Sequence, residues 1–372
     1  MDKNEIKILG VGDPHIKIDN LPEFDLFCNK LYELAIEENP DIIIVLGDVL
    51  DTHERLHTVT MNKAFDMIKN LRDISKTYIL VGNHDAINNR IFLNENHWMN
   101  AMKEWKNVEV IDKVKVLDIN DIKLTLVPYV PNGRFIEALK TNDDKEEWKN
   151  SDLIFAHQEF YGCKMGAIVS VDGDRWDEDY PYVISGHIHS NQRPQKNIYY
   201  PGSAMQNAFG ESEKNIIPVI RVEKDVVDAS HESLAKIDIQ EKNLGLPRKK
   251  IVYMDVEDID NYEPEKINKE KINDKIKVTV SGVYEDFKAL KKTKKYKDLV
   301  KKGVKIVFKP KKIKENLNIG DISDDFIDED GSVKLMDILQ SKVNCTKNEY
   351  VVQAYELVVN GKDIDTNDIM FV

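Results

Sequence analysis

Five short apolar runs in this chain each lead into side chains that bind metals or move protons. Residues 6–11 precede Asp13 and His15. Residues 41–46 precede Gly47 and Asp48. Residues 77–81 precede Gly82, Asn83, His84 and Asp85. Residues 154–156 precede His157, and residues 182–185 precede Gly186, His187 and His189. Runs this short and this apolar read as strands, and the run at 41–46 is typical of a strand buried on both faces. Between the first three the pattern turns helical, over 23–38 with Phe24, Phe27, Leu31, Leu34 and Ala35 on one face, and again over 58–75. Strand–helix–strand succession implies right-handed crossovers and parallel strands. The residues that follow the strands then emerge together on one rim of a sheet.

Past 98–105 the rhythm changes to short strands, at 108–111, 114–117 and 124–127, with a strand end and tight turn at 199–203. The expected fold class is α/β: two sheets face to face with helices outside. A smaller α+β capping domain and C-terminal helices follow. Domain limits are expected at 1–215 for the motif-bearing domain and 216–312 for the capping domain. An acidic linker is expected at 313–331 and helices at 332–372. Strands are expected at 251–256, 276–280 and 304–308, and one basic helix at 286–302.

Taken singly, each motif is weak. An isolated Asp-x-His is usually a surface turn. A carboxylate such as Asp48, directly after a fully apolar strand, is costly unless it is solvated or bound to cations. As an ordered set, with two Asp, one Asn and four imidazoles besides His84, the motifs supply enough ligands for two metal ions. Mixed oxygen and nitrogen ligands suit divalent cations, and two such ions on a sheet rim suit phosphate-ester hydrolysis.

In that order, Asp-x-His, Gly-Asp, Gly-Asn-His-Asp, His and Gly-His-x-His, the chain resembles the calcineurin-like metallophosphoesterase superfamily over roughly its first 210 residues. Within it, Gly47-Asp48-Val49-Leu50-Asp51-Thr52 and Ser185-Gly186-His187-Ile188-His189, with Tyr200-Pro201-Gly202-Ser203, resemble the SbcD-type double-strand-break repair nucleases, phage recombination nucleases included. The resemblance implies that Asp13, His15, Asp48 and His189 hold one ion. It implies that Asp48, Asn83, His157 and His187 hold the other, with Asp48 bridging. His84 would then lie beside the attacked phosphate, with Asp85 orienting it. The implied cofactors are two Mn2+, with Mg2+ a substitute. Archaeal and eukaryotic relatives carry a histidine where Asp51 stands. His53 is a candidate for that catalytic place, and an exposed loop histidine is the alternative. His57 and His97 are expected to be structural.

The resemblance further implies a DNA exonuclease, with endonuclease activity an option, in a repair or recombination complex. The implied partners are DNA, an SbcC-like ABC-type coiled-coil ATPase and a second copy of the chain, with no membrane. A phosphomonoesterase or cyclic-nucleotide phosphodiesterase on the same fold is the alternative, and a metal-free binding scaffold is a third reading. A net charge of -13 argues against simple electrostatic adhesion to DNA. The lysines between 288 and 314 could nonetheless track a backbone. Cys28, Cys163 and Cys345 are odd in number and far apart. That fits no disulfide framework and suggests a reducing compartment. With a charged start and no apolar run of membrane length, the expected place is the cytoplasm, the host's if phage-encoded.

Overall fold

The computed structural model describes residues 3–53, 55–142, 146–225, 235–264 and 274–310, and a few positions between 339 and 359. In chain order the first part runs β1 (Lys3–Val11), α1 (Leu21–Glu38), β2 (Ile42–Val45), α2 (Thr58–Ile74), β3 (Lys76–Leu80), β4 (Val108–Ile111), β5 (Lys115–Ile119), β6 (Ile122–Val127), α3 (Phe135–Asn142) and β7 (Leu153–His157). A hairpin of β8 (Lys164–Met165) and β9 (Ile168–Val169) follows, then β10 (Val183–Gly186), β11 (Gln192–Gln195) and β12 (Ile198–Tyr200). The rest is β13 (Ile217–Asp225), β14 (Lys236–Lys242), β15 (Lys249–Asp255), β16 (Lys275–Gly282), α4 (Tyr284–Leu290), α5 (Lys294–Lys301) and β17 (Lys305–Pro310).

Among the described residues these strands make two six-stranded sheets, ordered β14-β13-β1-β2-β3-β4 and β11-β12-β10-β7-β6-β5. The two-sheet α/β architecture expected from the strand rhythm is therefore present. Strands β1 to β4 are mutually parallel, as are β6, β7, β10 and β12. Ile6, Ile8, Ile42, Ile44, Leu124, Leu126, Phe155 and Tyr199 lie in the layer between the sheets. The outer face of the first sheet is covered by α1 and α2 through Phe24, Phe27, Leu31, Met67, Ile68 and Leu71. The outer face of the second meets Phe135, Trp148 and Trp176. Helix α1 stops at Asn39, whose left-handed backbone (φ 43°) turns the chain and whose N–H caps Ala35 O.

The first sheet continues beyond residue 215. β13 pairs antiparallel with β1 and β14 with β13, so residues up to 242 extend this layer. A parallel three-stranded sheet, β15-β16-β17, then packs its own core of Val278, Val280, Phe287, Leu290 and Leu299. The basic stretch read as one helix is two. It breaks after Leu290, and Thr293 caps α5 by accepting from Tyr296 N at 3.2 Å. The chain divides into a unit of residues 1–310 and another of 311–372. The acidic tract 313–331 and nearly all of 332–372 lie outside the described residues, and with them the expected linker and C-terminal helices. Among the described residues no helix is long and apolar enough to cross a membrane.

Candidate metal centre

Because β1, β2 and β3 run parallel in one sheet and β7 and β10 in the other, their C-terminal ends share a rim. The two rims are stitched together where His157 Nδ1 meets Leu46 O at 2.6 Å. Three of the chemistry-bearing residues take left-handed backbone there: His15 (φ 44°), Asp48 (φ 48°) and His187 (φ 79°). Such conformations are costly for side-chain-bearing residues and gather at functional sites. The close packing also explains a motif glycine. A Cβ on Gly82 would stand 2.2 Å from Asp48 Oδ1.

All seven residues expected as metal ligands converge. Asp13, His15, Asp48, Asn83 and His157 are buried, and His187 and His189 partly so. The ring protons follow from the neighbours. His15 Nδ1 lies 3.3 Å from the Asp51 carboxylate, His189 Nδ1 lies 2.9 Å from Glu211 Oε1, and His157 Nδ1 donates to Leu46 O. In each ring Nδ1 is thus the outward nitrogen and Nε2 the inward one, which is free to bind a cation once it is deprotonated. The inward Nε2 atoms of His15 and His189 face each other at 2.9 Å. That of His157 faces Asp48 Oδ2 at 3.2 Å and Asn83 Oδ1 at 3.0 Å. His187 Nδ1 reaches the same Asn83 oxygen at 2.8 Å. Both carboxylate oxygens of Asp13 are buried without a hydrogen-bond partner. Imidazole nitrogens and carboxylate oxygens crowded together at such distances in a largely buried cluster are what a divalent cation satisfies.

The electrostatics agree. Burial pushes the Asp48 carboxyl up, but the His157, His15 and His84 rings around it hold it far below the usual range. Burial pushes the His157 imidazole down, and the Asp48 and Asp13 carboxylates lift it to about 9. His187 drops to about 3 through burial and the neighbouring His157, leaving it neutral as a ligand must be. Geometry groups His15, Asp48 and His84 as one possible cation cradle and Asp48, His157 and His187 as another, with Asp48 common to both.

His84 is tied twice. Its N–H donates to Asp48 Oδ1 at 2.8 Å, and its Nδ1 lies 2.8 Å from Asp51 O. Asp85 does not fill the orienting role expected for it. Its carboxylate accepts from the N–H groups of Val49, Leu50 and Gly82 and from Trp98 Nε1, clamping the two loops together. The Asp51 carbonyl holds the His84 ring instead. His53 is half-buried rather than exposed and stacks on His84 at 4.5 Å, 18° between planes. His57 caps α2 through Val59 N, and His97 pairs with Asp112 at 3.3 Å, both outside the cluster. Two residues support these rings from behind, Asp51 behind His15 and Glu211 behind His189. Asp51 stands in a motif the sequence marks, but Glu211 carried no sequence signal and only its position in space identifies it.

The profile of the calcineurin-like phosphoesterases matches residues 6–191, which span every one of the seven. The chain belongs to the calcineurin-like phosphoesterases. As a phosphoesterase of this family it is a hydrolase that works with divalent metal, and the donor set just described fits such ions. Two viral relatives match most of its length. The protein provisionally named phosphoesterase 244L, of Invertebrate iridescent virus 6, is 48% identical over 77% of this chain and 98% of its own. The one provisionally named phosphoesterase 078R, of Invertebrate iridescent virus 3, is 42% identical over 92% and 94%. A more distant likeness, 25% identical over half of each chain, is to the DNA double-strand break repair protein Mre11 of Saccharolobus solfataricus.

Proposed function

We propose that this phosphoesterase is a two-metal DNA nuclease that uses Mn2+. One observation carries the metal reading: the Nε2 atoms of His15 and His157 point at the buried Asp48 carboxylate, that of His189 faces His15 Nε2 at 2.9 Å, and both oxygens of the buried Asp13 lack a hydrogen-bond partner. Asp13, His15, Asp48 and His189 hold one ion, and Asp48, Asn83, His157 and His187 hold the other. Bound divalent ions neutralise phosphate oxygens and ready a water for attack. With its Nδ1 proton given to Asp51 O, His84 offers Nε2 to the phosphate. There, when Nε2 carries a proton as well, the ring would stabilise charge or protonate the leaving sugar oxygen. His53 backs that ring by stacking.

DNA as substrate is supported by the likeness to Mre11 and by the exposed lysines of the three-stranded unit. Lys288, Lys291, Lys292, Lys294, Lys297, Lys301 and Lys302 line α4, α5 and the turns after them. A row of cations of that kind suits a phosphate backbone. An ABC-type coiled-coil ATPase and a second copy of the chain are the proposed partners, in an intracellular setting.

The test is incubation with Mn2+ and labelled duplex, single-stranded and hairpin DNA, with and without chelator, beside Asp48→Ala. Cleavage that chelator and Asp48→Ala both abolish is expected. Background cleavage of DNA together with brisk turnover of a small phosphomonoester would replace the nuclease by a phosphomonoesterase.

A further inference from the structure

The loop between β12 and β13 touches both the metal centre and the three-stranded unit. Gln206 is buried in it, and its amide is fully engaged. Oε1 accepts from Lys249 N at 2.6 Å, and Nε2 donates to Lys249 O at 3.2 Å and to Glu211 O at 3.1 Å. Lys249 is the first residue of β15, and its Nζ donates to Asn207 O at 2.7 Å. Glu211 is equally fixed. Its Oε2 accepts from Asn207 N at 2.7 Å and Ala208 N at 2.9 Å, so the carboxylate cannot rotate and Oε1 is held against His189 Nδ1. An unbroken series of bonds thus leads from β15 through Gln206 and Glu211 to His189.

We propose that Gln206 and Glu211 form a positioning relay by which the placement of β15 sets the orientation of the His189 ring. The proposal rests on the ligand role given to His189 above. A carboxylate behind a metal-binding imidazole fixes its tautomer and raises its basicity, and its loss costs about 10–100-fold in metal affinity. Gln206 grips both the N–H and the C=O of Lys249, so a shift of β15 drags the amide with it. The Glu211 loop follows, and the ring turns.

The experiment is Mn2+ titration of the full chain by calorimetry and electron paramagnetic resonance. The proteins are wild type, Glu211→Ala, Glu211→Gln, Gln206→Ala and the double variant Gln206→Ala/Glu211→Ala. Glu211→Ala is expected to weaken one of the two ions by about 10–100-fold and to leave the other unchanged. Glu211→Gln, which keeps an acceptor for Nδ1–H, falls between it and wild type. Gln206→Ala weakens the same ion, and the double variant is no weaker than Glu211→Ala alone, as residues acting in series require. Effects that multiply, or an unchanged ion in Gln206→Ala, overturn the relay while leaving the metal centre intact. A wild-type chain that takes up no divalent ion overturns the metal reading and the relay with it. Melting temperatures of the ion-free proteins check folding. If Glu211→Ala does not fold, Glu211→Gln and Gln206→Ala carry the same comparison.

Discussion

Gly82→Ala adds one carbon at one of the tightest points of the site. The new Cβ would stand 2.2 Å from Asp48 Oδ1 and 2.4 Å from Asp48 N, where non-bonded contacts need 3.0 Å or more. A carboxylate oxygen can swing aside, but a main-chain nitrogen cannot. To restore ordinary contact, which begins near 3.4 Å, the turn after β2 must therefore give way by about 1 Å, taking with it the carboxylate shared by both cation cradles. A misplacement of that size costs on the order of 10²-fold in rate. Overpacking of a closed site costs about 1–3 kcal/mol of stability. The bond from His84 N to Asp48 Oδ1 is lost in the same movement. The assay is Mn2+-dependent hydrolysis of a chromogenic phosphodiester, with metal content by elemental analysis and stability by calorimetry. Gly133→Ala is the control. Its φ is +82° and nothing lies within 4 Å, so it should lose only the left-handed penalty of about 1–2 kcal/mol, at wild-type activity. If Gly82→Ala keeps its ions and stays within about threefold of wild type, a threshold far short of the expected loss, the steric account is refuted.

Two further outcomes follow from particular contacts. His84→Ala should retain both ions and lose about 10²–10⁴ of the rate. Its ring also sits within cradle distance of His15 and Asp48, so loss of an ion by elemental analysis would make it a ligand instead. Away from the rim, burial pushes the Asp112 carboxyl up, but His97 and Lys103 hold it at about 2. Its folded value lies below its unfolded one, so its contribution is complete above about pH 5 and fades as acid approaches pH 2. Asp112→Asn should lower the melting temperature at pH 7, with the gap to wild type narrowing between pH 5 and 3. A gap constant with pH would contradict this.

Strands with a fully apolar interior were legible in the sequence almost residue for residue. β2 falls inside the run at 41–46, and β7, Leu153–His157, contains the run at 154–156. Burial on both faces leaves the sequence no room for polar residues, so the run and the strand coincide. β14 was not legible. As an edge strand, Lys236-Ile-Asp-Ile-Gln-Glu-Lys242 buries little, and its polar composition reads as loop. The split between α4 and α5 was hidden for a related reason. A single capping threonine breaks a lysine-rich stretch whose apolar spacing continues across it. At the site, the convergence of the seven candidate ligands was legible because motif spacing fixes them at strand ends. Glu211 was not, since a supporting partner need only arrive in space, from any point in the chain, and Asp51, although marked by its motif, gave no sign that it would stand behind His15. Asp85 misled because neighbours in sequence are not neighbours at the ring.

The left-handed turns at His15, Asp48 and His187 also bear on how this enzyme tolerates heat and mutation. Each holds about 1–2 kcal/mol of backbone strain, energy that the two sheets must offset. Glycine at any of the three would relieve it and remove the side chain that needs it. A search for hardier variants that selects on thermal survival alone would therefore converge on these positions first, and would deliver well-folded, inactive proteins.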